Sequence, residues 1–172
     1  MKTVILPGFS ERNKDWADEM AGKINLGHEV VVHNWRHWSS TGSGSSSQSF
    51  SLKYEIDEIK KKIGSGKFNI IAKSVGSRVA LRLMHQVKPR LNKVILTGIA
   101  STGDAMKKVM QKSLPDFPIK RLLVIQNTND PYSNYHDVEK LIHSINSKVK
   151  ILEKPGSEHN YPYPEEFEKF LQ

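Results

Sequence analysis

Three residues that lie far apart in the chain are of the types that together perform nucleophilic catalysis. Ser74 stands in the segment Ala-Lys-Ser-Val-Gly, Asp130 in Asn-Thr-Asn-Asp-Pro-Tyr and His159 in Gly-Ser-Glu-His-Asn. A serine hydroxyl becomes an effective nucleophile when an imidazole removes its proton and a carboxylate orients that imidazole. The sequence therefore predicts a relay of Ser74, His159 and Asp130, provided that the fold brings the three side chains together.

Each of these residues follows a segment that the sequence predicts to be a strand of a parallel sheet. The segments are short and continuously apolar, and they alternate with amphipathic helices, which is typical of parallel sheets covered on both faces. Because the carboxyl ends of parallel strands meet at one edge of the sheet, we expect the three side chains at that edge. The three strands are predicted at residues 68–72, 121–126 and 149–152.

Ser74 lies where the first of these strands turns directly into a helix, which is predicted at residues 75–87. A sharp turn at such a point exposes a serine hydroxyl above the sheet, and small residues two positions before and after it permit close packing. Gly76 meets this requirement, and Ala72 stands where glycine is usual. The local pattern is that of a nucleophile elbow.

Each of the three residues also has an ordinary structural alternative. Ser74 could cap the helix that follows it, Asp130 could be a turn residue and His159 could be an exposed loop residue. Asp137 is a second candidate for the acid, but it is predicted inside a helix. Ser10 is a second candidate for the nucleophile, but it lacks an elbow.

The alternation of strands and helices continues along the whole chain. It predicts the α/β class, with a three-layer α/β/α sandwich around a mainly parallel sheet of about six strands. No repeat marks a second domain, so residues 1–172 are predicted to form one domain. Strands are predicted at residues 3–6, 29–33, 68–72, 93–97, 121–126 and 149–152. Helices are predicted at residues 12–24, 50–63, 75–87, 104–112, 135–145 and 164–171.

One segment, residues 39–51, interrupts this pattern with eight serines and two glycines. This composition predicts a flexible loop. Because it follows the second strand, the loop should emerge at the carboxyl edge of the sheet, where parallel sheets bind ligands. Trp35 and Trp38 precede it, and they either line a pocket or are buried beneath the loop.

The composition argues against several functions. There is no cysteine, which excludes disulfides and cysteine-based metal sites. The formal net charge is +8, but the basic residues are spread along the chain, and the run Lys60–Lys62 fits the solvated face of a helix. No nucleic-acid partner, metal or cofactor is predicted. The sequence shows neither a membrane span nor a signal peptide, so we expect a cytoplasmic protein.

These residues together resemble the α/β-hydrolase superfamily, and more narrowly the small cap-less serine hydrolases of the retinoblastoma-binding-protein type. The resemblance is carried by Leu6-Pro7-Gly8 after the first strand, by the Ser74 elbow, by Asp130 and by Gly156-x-x-His159. It implies an oxyanion hole formed by the backbone N–H groups of Phe9 and Val75. It also implies that no cap domain is present, because the stretch of residues 98–120, where caps are usually inserted, is short.

The predicted function is a serine hydrolase that cleaves a carboxylic ester, thioester or amide of a small-molecule or peptide acyl substrate. The reaction would proceed through an acyl-enzyme and would need no cofactor. The alternative is a non-catalytic protein-interaction module that keeps the hydrolase fold, suggested by the loop with its tryptophans and by the basic surface. The sequence leaves the substrate and the oligomeric state open.

Overall fold

The described chain, residues 1–39 and 49–172 of a computed structural model, contains six strands in one sheet. Every neighbouring pair of strands is parallel, and the order across the sheet is β2-β1-β3-β4-β5-β6. The strands are β1 (Lys2–Leu6), β2 (Glu29–Val32), β3 (Phe68–Lys73), β4 (Leu91–Thr97), β5 (Leu122–Asn127) and β6 (Ile151–Lys154).

Helices connect the strands and cover both faces of the sheet, as the strand–helix alternation predicts. The helices are α1 (Asn13–Lys23), α2 (Leu52–Ile63), α3 (Val75–Val87), α4 (Asp104–Ser113), α5 (Tyr135–His143) and α6 (Pro164–Leu171). Two 3₁₀ turns lie at Arg36–Ser39 and Ile119–Arg121. The predicted α/β/α sandwich is confirmed. Within the described residues, no helix is both long and apolar enough to cross a membrane.

Alternating side chains along each strand belong to two hydrophobic clusters, one on each face of the sheet. In β1, Val4 and Leu6 join the cluster beneath α2, α3, α4 and α5, whereas Ile5 joins the cluster beneath α1 and α6. In β3, Ile70 and Ile71 divide in the same way. This period of two fixes which side chains face each helical layer. Both faces of the sheet are therefore covered by helices, and only its edges are left for the loops.

The strand order creates a crevice at the carboxyl edge of the sheet. The chain runs from β1 outward to β2 and then returns to pair β3 against the other side of β1. The loops that follow β1 and β3 consequently leave the sheet in opposite directions, and open parallel sheets bind ligands at such a point. Ser74 follows β3 and Phe9 follows β1, so both lie at this crevice.

Most of the predicted element boundaries differ from the observed ones by one or two residues, and two of these differences have a clear local cause. The sixth strand begins at Ile151 and not at Val149, because Val149 N donates to Asn146 O in a turn while its side chain is buried in the core. Helix α2 begins at Leu52, where Ser51 Oγ caps it. Most of the predicted loop at residues 39–51 lies outside the described residues.

Candidate active site

Ser74 occupies a backbone conformation that few non-glycine residues adopt. Its φ is 56° and its ψ is −117°. Among the described residues, no other non-glycine residue has a positive φ. Its N–H donates to Thr97 O at 3.0 Å, and its carbonyl accepts from Ser77 N at 3.0 Å. Such strain persists where the surroundings enforce it, and a strained turn from strand to helix is the geometry of a nucleophile elbow.

Gly76 explains how the turn can be this tight. A Cβ at this position would lie 2.1 Å from Leu6 O and 2.8 Å from Pro7 O. The first turn of α3 therefore packs directly on the backbone that follows β1. Ala72, which replaces the usual first glycine, is fully buried, and its carbonyl accepts hydrogen bonds from Ser77 Oγ and Thr97 Oγ1.

Asp130 and His159 form a hydrogen-bonded pair at the same edge of the sheet. His159 Nδ1 lies 2.6 Å from Asp130 Oδ2, although 29 positions separate the residues in the chain. Asp130 Oδ1 accepts from the N–H groups of Tyr132 and Ser133, at 2.9 and 3.4 Å. Asp137, the other candidate for the acid, is exposed in the first turn of α5 and bonds to its cap residue.

The environment of Asp130 keeps the carboxyl ionised. Burial acts to raise its pKa, but hydrogen bonds from His159, Tyr161 and Tyr132 N outweigh burial and hold the pKa below its ordinary value. An ionised carboxylate can only accept hydrogen bonds, so the proton of the pair resides on His159 Nδ1. The lone pair of a neutral imidazole then lies on Nε2, as a general base requires.

Tyr161 contacts the candidate acid Asp130, and the sequence analysis did not identify it. The residue is fully buried, and its hydroxyl donates to Asp130 Oδ2 at 2.5 Å and accepts from Asn127 N at 3.3 Å. Burial and the bond to Asp130 raise the pKa of Tyr161, so the hydroxyl stays protonated. Gly98, at φ 55°, provides the space, because a Cβ there would lie 2.5 Å from the Tyr161 ring.

His159 and Ser74 border the same cleft. Among the described residues, His159 Nε2 has no hydrogen-bond partner, and the imidazole packs against Tyr132 with ring centroids 4.5 Å apart. The bond between a nucleophile and its base is often long in an empty site and shortens when substrate binds. The cleft has a volume of about 710 Å³, and Phe9 and Lys73 also line it. A larger groove between α2, α3 and α4 contains none of the three predicted catalytic residues.

The backbone of the loop after β1 is held in place by side chains from residues 35–38. Trp35 Nε1 donates to Gly8 O at 2.9 Å, and Trp38 Nε1 donates to Phe9 O at 2.8 Å. His37 Nε2 also lies 2.8 Å from Phe9 O. With their carbonyls bound in this way, Gly8 and Phe9 have a fixed peptide orientation.

The amides of Phe9 and Val75 remain available for a ligand. Neither N–H donates to a described protein atom, and Phe9 borders the cleft that contains Ser74. Val75 is the first residue of α3, where helix N–H groups lack intrahelical acceptors. Two such amides beside a nucleophile can stabilise a developing oxyanion.

The structure places Trp35 and Trp38 away from the cleft above Ser74. They are 1% and 7% exposed, belong to the hydrophobic core and do not line the cleft above Ser74. They border a separate depression near His33. Their indoles are buried because each N–H finds a carbonyl acceptor in the loop after β1. The interaction-module hypothesis loses the exposed tryptophans on which it partly depended.

Lys73, which precedes Ser74 in the chain, is buried beside the cleft. Its side chain is 5% exposed and lines the cleft. Its Nζ donates to Asn13 Oδ1 at 2.8 Å and lies 5.0 Å from the centre of the Trp16 ring. Asn13 Nδ2 in turn donates to the backbone and hydroxyl oxygens of Ser10.

Comparison with known proteins agrees with this architecture. The model of the family described as alpha/beta hydrolase fold matches residues 4–120, which is more than half of the chain. No curated protein sequence matches the chain.

Solved structures show the same fold at low sequence identity. An α/β serine hydrolase homologue from Coxiella burnetii has a TM-score of 0.71 at 14% identity, over 99% of this chain and 83% of that one. Est1E of Butyrivibrio proteoclasticus, with ferulic acid bound, has a TM-score of 0.71 at 12% identity, over 99% and 87%. A serine hydrolase without a lid from Xanthomonas campestris has a TM-score of 0.66 at 17% identity, over 99% and 78%.

Proposed function

Because the chain belongs to the α/β-hydrolase fold family, we propose that it is a serine hydrolase that cleaves a carboxylic ester of a small substrate. Thioesters and amides are variants of the same acyl transfer. The observation that carries the proposal is the bond between His159 and Asp130 beside the strained turn at Ser74. Because Ser74 and His159 border one cleft, a carbonyl bound there is accessible to both the hydroxyl and the imidazole.

In the acylation step, His159 Nε2 takes the proton of Ser74 Oγ as that oxygen bonds to the carbonyl carbon. Asp130 stabilises the imidazolium that forms. The N–H groups of Phe9 and Val75 donate to the oxyanion, where loss of one donor typically costs on the order of 100-fold in kcat. His159 then protonates the leaving alcohol, thiol or amine as its bond to the carbonyl carbon breaks, and an acyl-serine remains.

In the deacylation step, a water molecule replaces the leaving group. His159 Nε2 takes one proton from the water as its oxygen bonds to the acyl carbon, and the same two amides receive the oxyanion. The bond from the acyl carbon to Ser74 Oγ then breaks, and His159 returns the proton to that oxygen. The products are a carboxylic acid and the regenerated hydroxyl.

A small or exposed acyl group fits this cleft better than a long buried chain. The connection between β4 and β5, residues 98–121, contains α4 and one 3₁₀ turn and no inserted cap. Phe9 and Tyr132 both border the cleft and are 53% and 66% exposed. Their rings offer apolar surface to a substrate without enclosing it.

The proposal is tested by covalent labelling with a fluorophosphonate probe, followed by mass spectrometry of the modified peptide. We expect one adduct on Ser74 and none in Ser74→Ala. The matched control is Ser10→Ala, because Ser10 lines the same cleft but lies outside the turn. Ser10→Ala should still be labelled.

A panel of short-chain 4-nitrophenyl esters then measures turnover, which Ser74→Ala should abolish above the uncatalysed rate. An adduct that persists in Ser74→Ala would refute the assignment of the nucleophile. No adduct and no turnover in the wild type would favour the non-catalytic interaction module.

A further inference from the structure

Lys73 presents an almost fully buried positive charge to the cleft. Its side chain extends from the end of β3, one residue before Ser74, and is 5% exposed. Lysine is rarely buried this completely unless its charge is paired. The buried ammonium of Lys73 therefore needs groups that compensate its charge, and the protein provides them only in part.

The protein contacts of the ammonium are neutral. It donates one hydrogen bond, to the amide oxygen of Asn13, and it faces the Trp16 ring. An ammonium has three N–H donors, so two are left for a ligand. Desolvation lowers the pKa of Lys73 to about 8, and the charge of Asp130 opposes this only in part. No described carboxylate forms an ion pair with Lys73.

The other charges around the cleft leave the ammonium uncompensated. Glu19 lines the cleft, but Lys23 pairs with it at 2.5 Å. Asp130 is occupied by His159 and Tyr161. Arg12 lines the cleft as well, is exposed and adds a second positive charge at its rim. The cleft beside Ser74 is therefore positive where a substrate would lie.

We propose that Lys73 is the anion-binding residue of this cleft, and that the preferred substrates carry a carboxylate on the acyl chain or on the leaving group. The proposal rests on the proposed function and specifies its substrate class. One buried cation neutralises one negative charge, which matches a carboxylate. Arg12 at the rim attracts the same group as it approaches. A charge-assisted hydrogen bond in a buried site is stronger than a neutral one.

A purely structural role for Lys73 makes a different prediction. Lys73 holds Asn13, and Asn13 holds the loop that contains Ser10 and leads to Phe9. If this positioning were its whole role, replacing Lys73 would slow neutral and anionic substrates by the same factor. The ratio between the two kinds of substrate separates the roles.

The experiment compares two pairs of esters, and in each pair the neutral member is the methyl ester of the anionic member. Mono-4-nitrophenyl adipate and 4-nitrophenyl methyl adipate place the charge on the acyl side. 4-Acetoxybenzoate and its methyl ester place it on the leaving group. The wild type, Lys73→Met and Lys14→Met are compared by kcat/KM. Lys14→Met is the matched control, because Lys14 is an exposed lysine on the same helix as Asn13 but lies outside this cleft.

In the wild type, we expect the anionic member of at least one pair to have the higher kcat/KM. In that pair, Lys73→Met should lower the ratio of anionic to neutral kcat/KM by about tenfold or more, since hydrogen bonds to charged groups commonly contribute this much. Lys14→Met should retain the wild-type ratio.

An unchanged ratio in Lys73→Met would overturn the proposal. If that variant does not fold, the wild type decides alone, because equal or better hydrolysis of the neutral member in both pairs also overturns it. Absence of Ser74-dependent hydrolysis of all four esters would instead contradict the proposed function.

Discussion

The hydroxyl of Tyr161 provides a sharp test of how Asp130 is held. The substitution Tyr161→Phe removes this hydroxyl and leaves the ring in place. Two hydrogen bonds are lost, the one donated to the Asp130 carboxylate at 2.5 Å and the one accepted from Asn127 N at 3.3 Å. Tyr163→Phe is the matched control, because its hydroxyl donates to the neutral amide oxygen of Asn127 at 2.7 Å.

The expected magnitudes follow from the charge of each acceptor. A hydrogen bond to a charged group contributes about 1.5–3 kcal/mol to the free energy of unfolding, and a neutral one about 0.5–1.5 kcal/mol. Tyr161→Phe loses one bond of each kind and should therefore lower the free energy of unfolding at pH 7 by about 2–4.5 kcal/mol. Tyr163→Phe should lower it by about 0.5–1.5 kcal/mol, and urea denaturation measures both.

The dependence on pH identifies the charged acceptor. The native pKa of Asp130 lies below its ordinary value of 3.8, so the stabilisation from this group is present above that value and is lost as the pH falls through the native pKa. Tyr161→Phe removes part of this stabilisation. The difference in the free energy of unfolding between wild type and Tyr161→Phe should consequently become smaller below about pH 4. The corresponding difference for Tyr163→Phe should stay constant. If the two variants lose the same free energy of unfolding at pH 7, with the same dependence on pH, this account of the Asp130 carboxylate is refuted.

Two further predictions concern packing and a buried charge. Gly76→Ala should destabilise the protein by about 3 kcal/mol or more, because the added Cβ would lie 2.1 Å from Leu6 O. The added Cβ of Gly22→Ala in α1 would meet no atom within 4 Å, so this variant should be more stable by about 0.5–1 kcal/mol. Urea denaturation of both variants measures these changes. For Lys73, the native pKa of about 8 lies below the ordinary 10.5, so between these values the unfolded chain binds more protons and the stability should rise with pH. Relative to Lys73→Met, the free energy of unfolding of the wild type should increase by on the order of 3 kcal/mol across this range. If the free energies of unfolding of the two proteins instead change in parallel with pH, the burial of a charged lysine is contradicted.

The sequence was sufficient to predict the sheet and the turn from strand to helix at Ser74, because both depend on local pattern. Continuous apolar runs identified the strands, and the small Gly76 marked the turn after β3. The pairing of Asp130 with His159 could be expected only from the order of the strands. The boundaries at Val149 and Ser51 depend on turns and caps that apolar periodicity does not reveal.

The roles of Tyr161, Lys73 and the tryptophans could not be predicted in the same way. Tyr161 contacts Asp130 from 31 positions away, and no local pattern marks such a hydrogen bond. A lysine at the end of a strand is usually solvated, and only the packing of Trp16 over Lys73 shows its burial. Trp35 lies beside a polar segment, but its indole reaches back to the carbonyl of Gly8.

The separation between Ser74, the proposed nucleophile, and His159, the proposed base, depends on the register of β4 against β5. Ser74 is tied to the end of β4 through Thr97 O, while Asp130 and His159 follow β5 and β6. Thr97 pairs with Ile125 across this ladder. A slip of one residue would displace the imidazole from the hydroxyl by about 3.3 Å, more than the tolerance of a hydrogen bond. Buried aliphatic side chains in the middle of the sheet, remote from the cleft, thus set the alignment on which the proposed proton transfer depends.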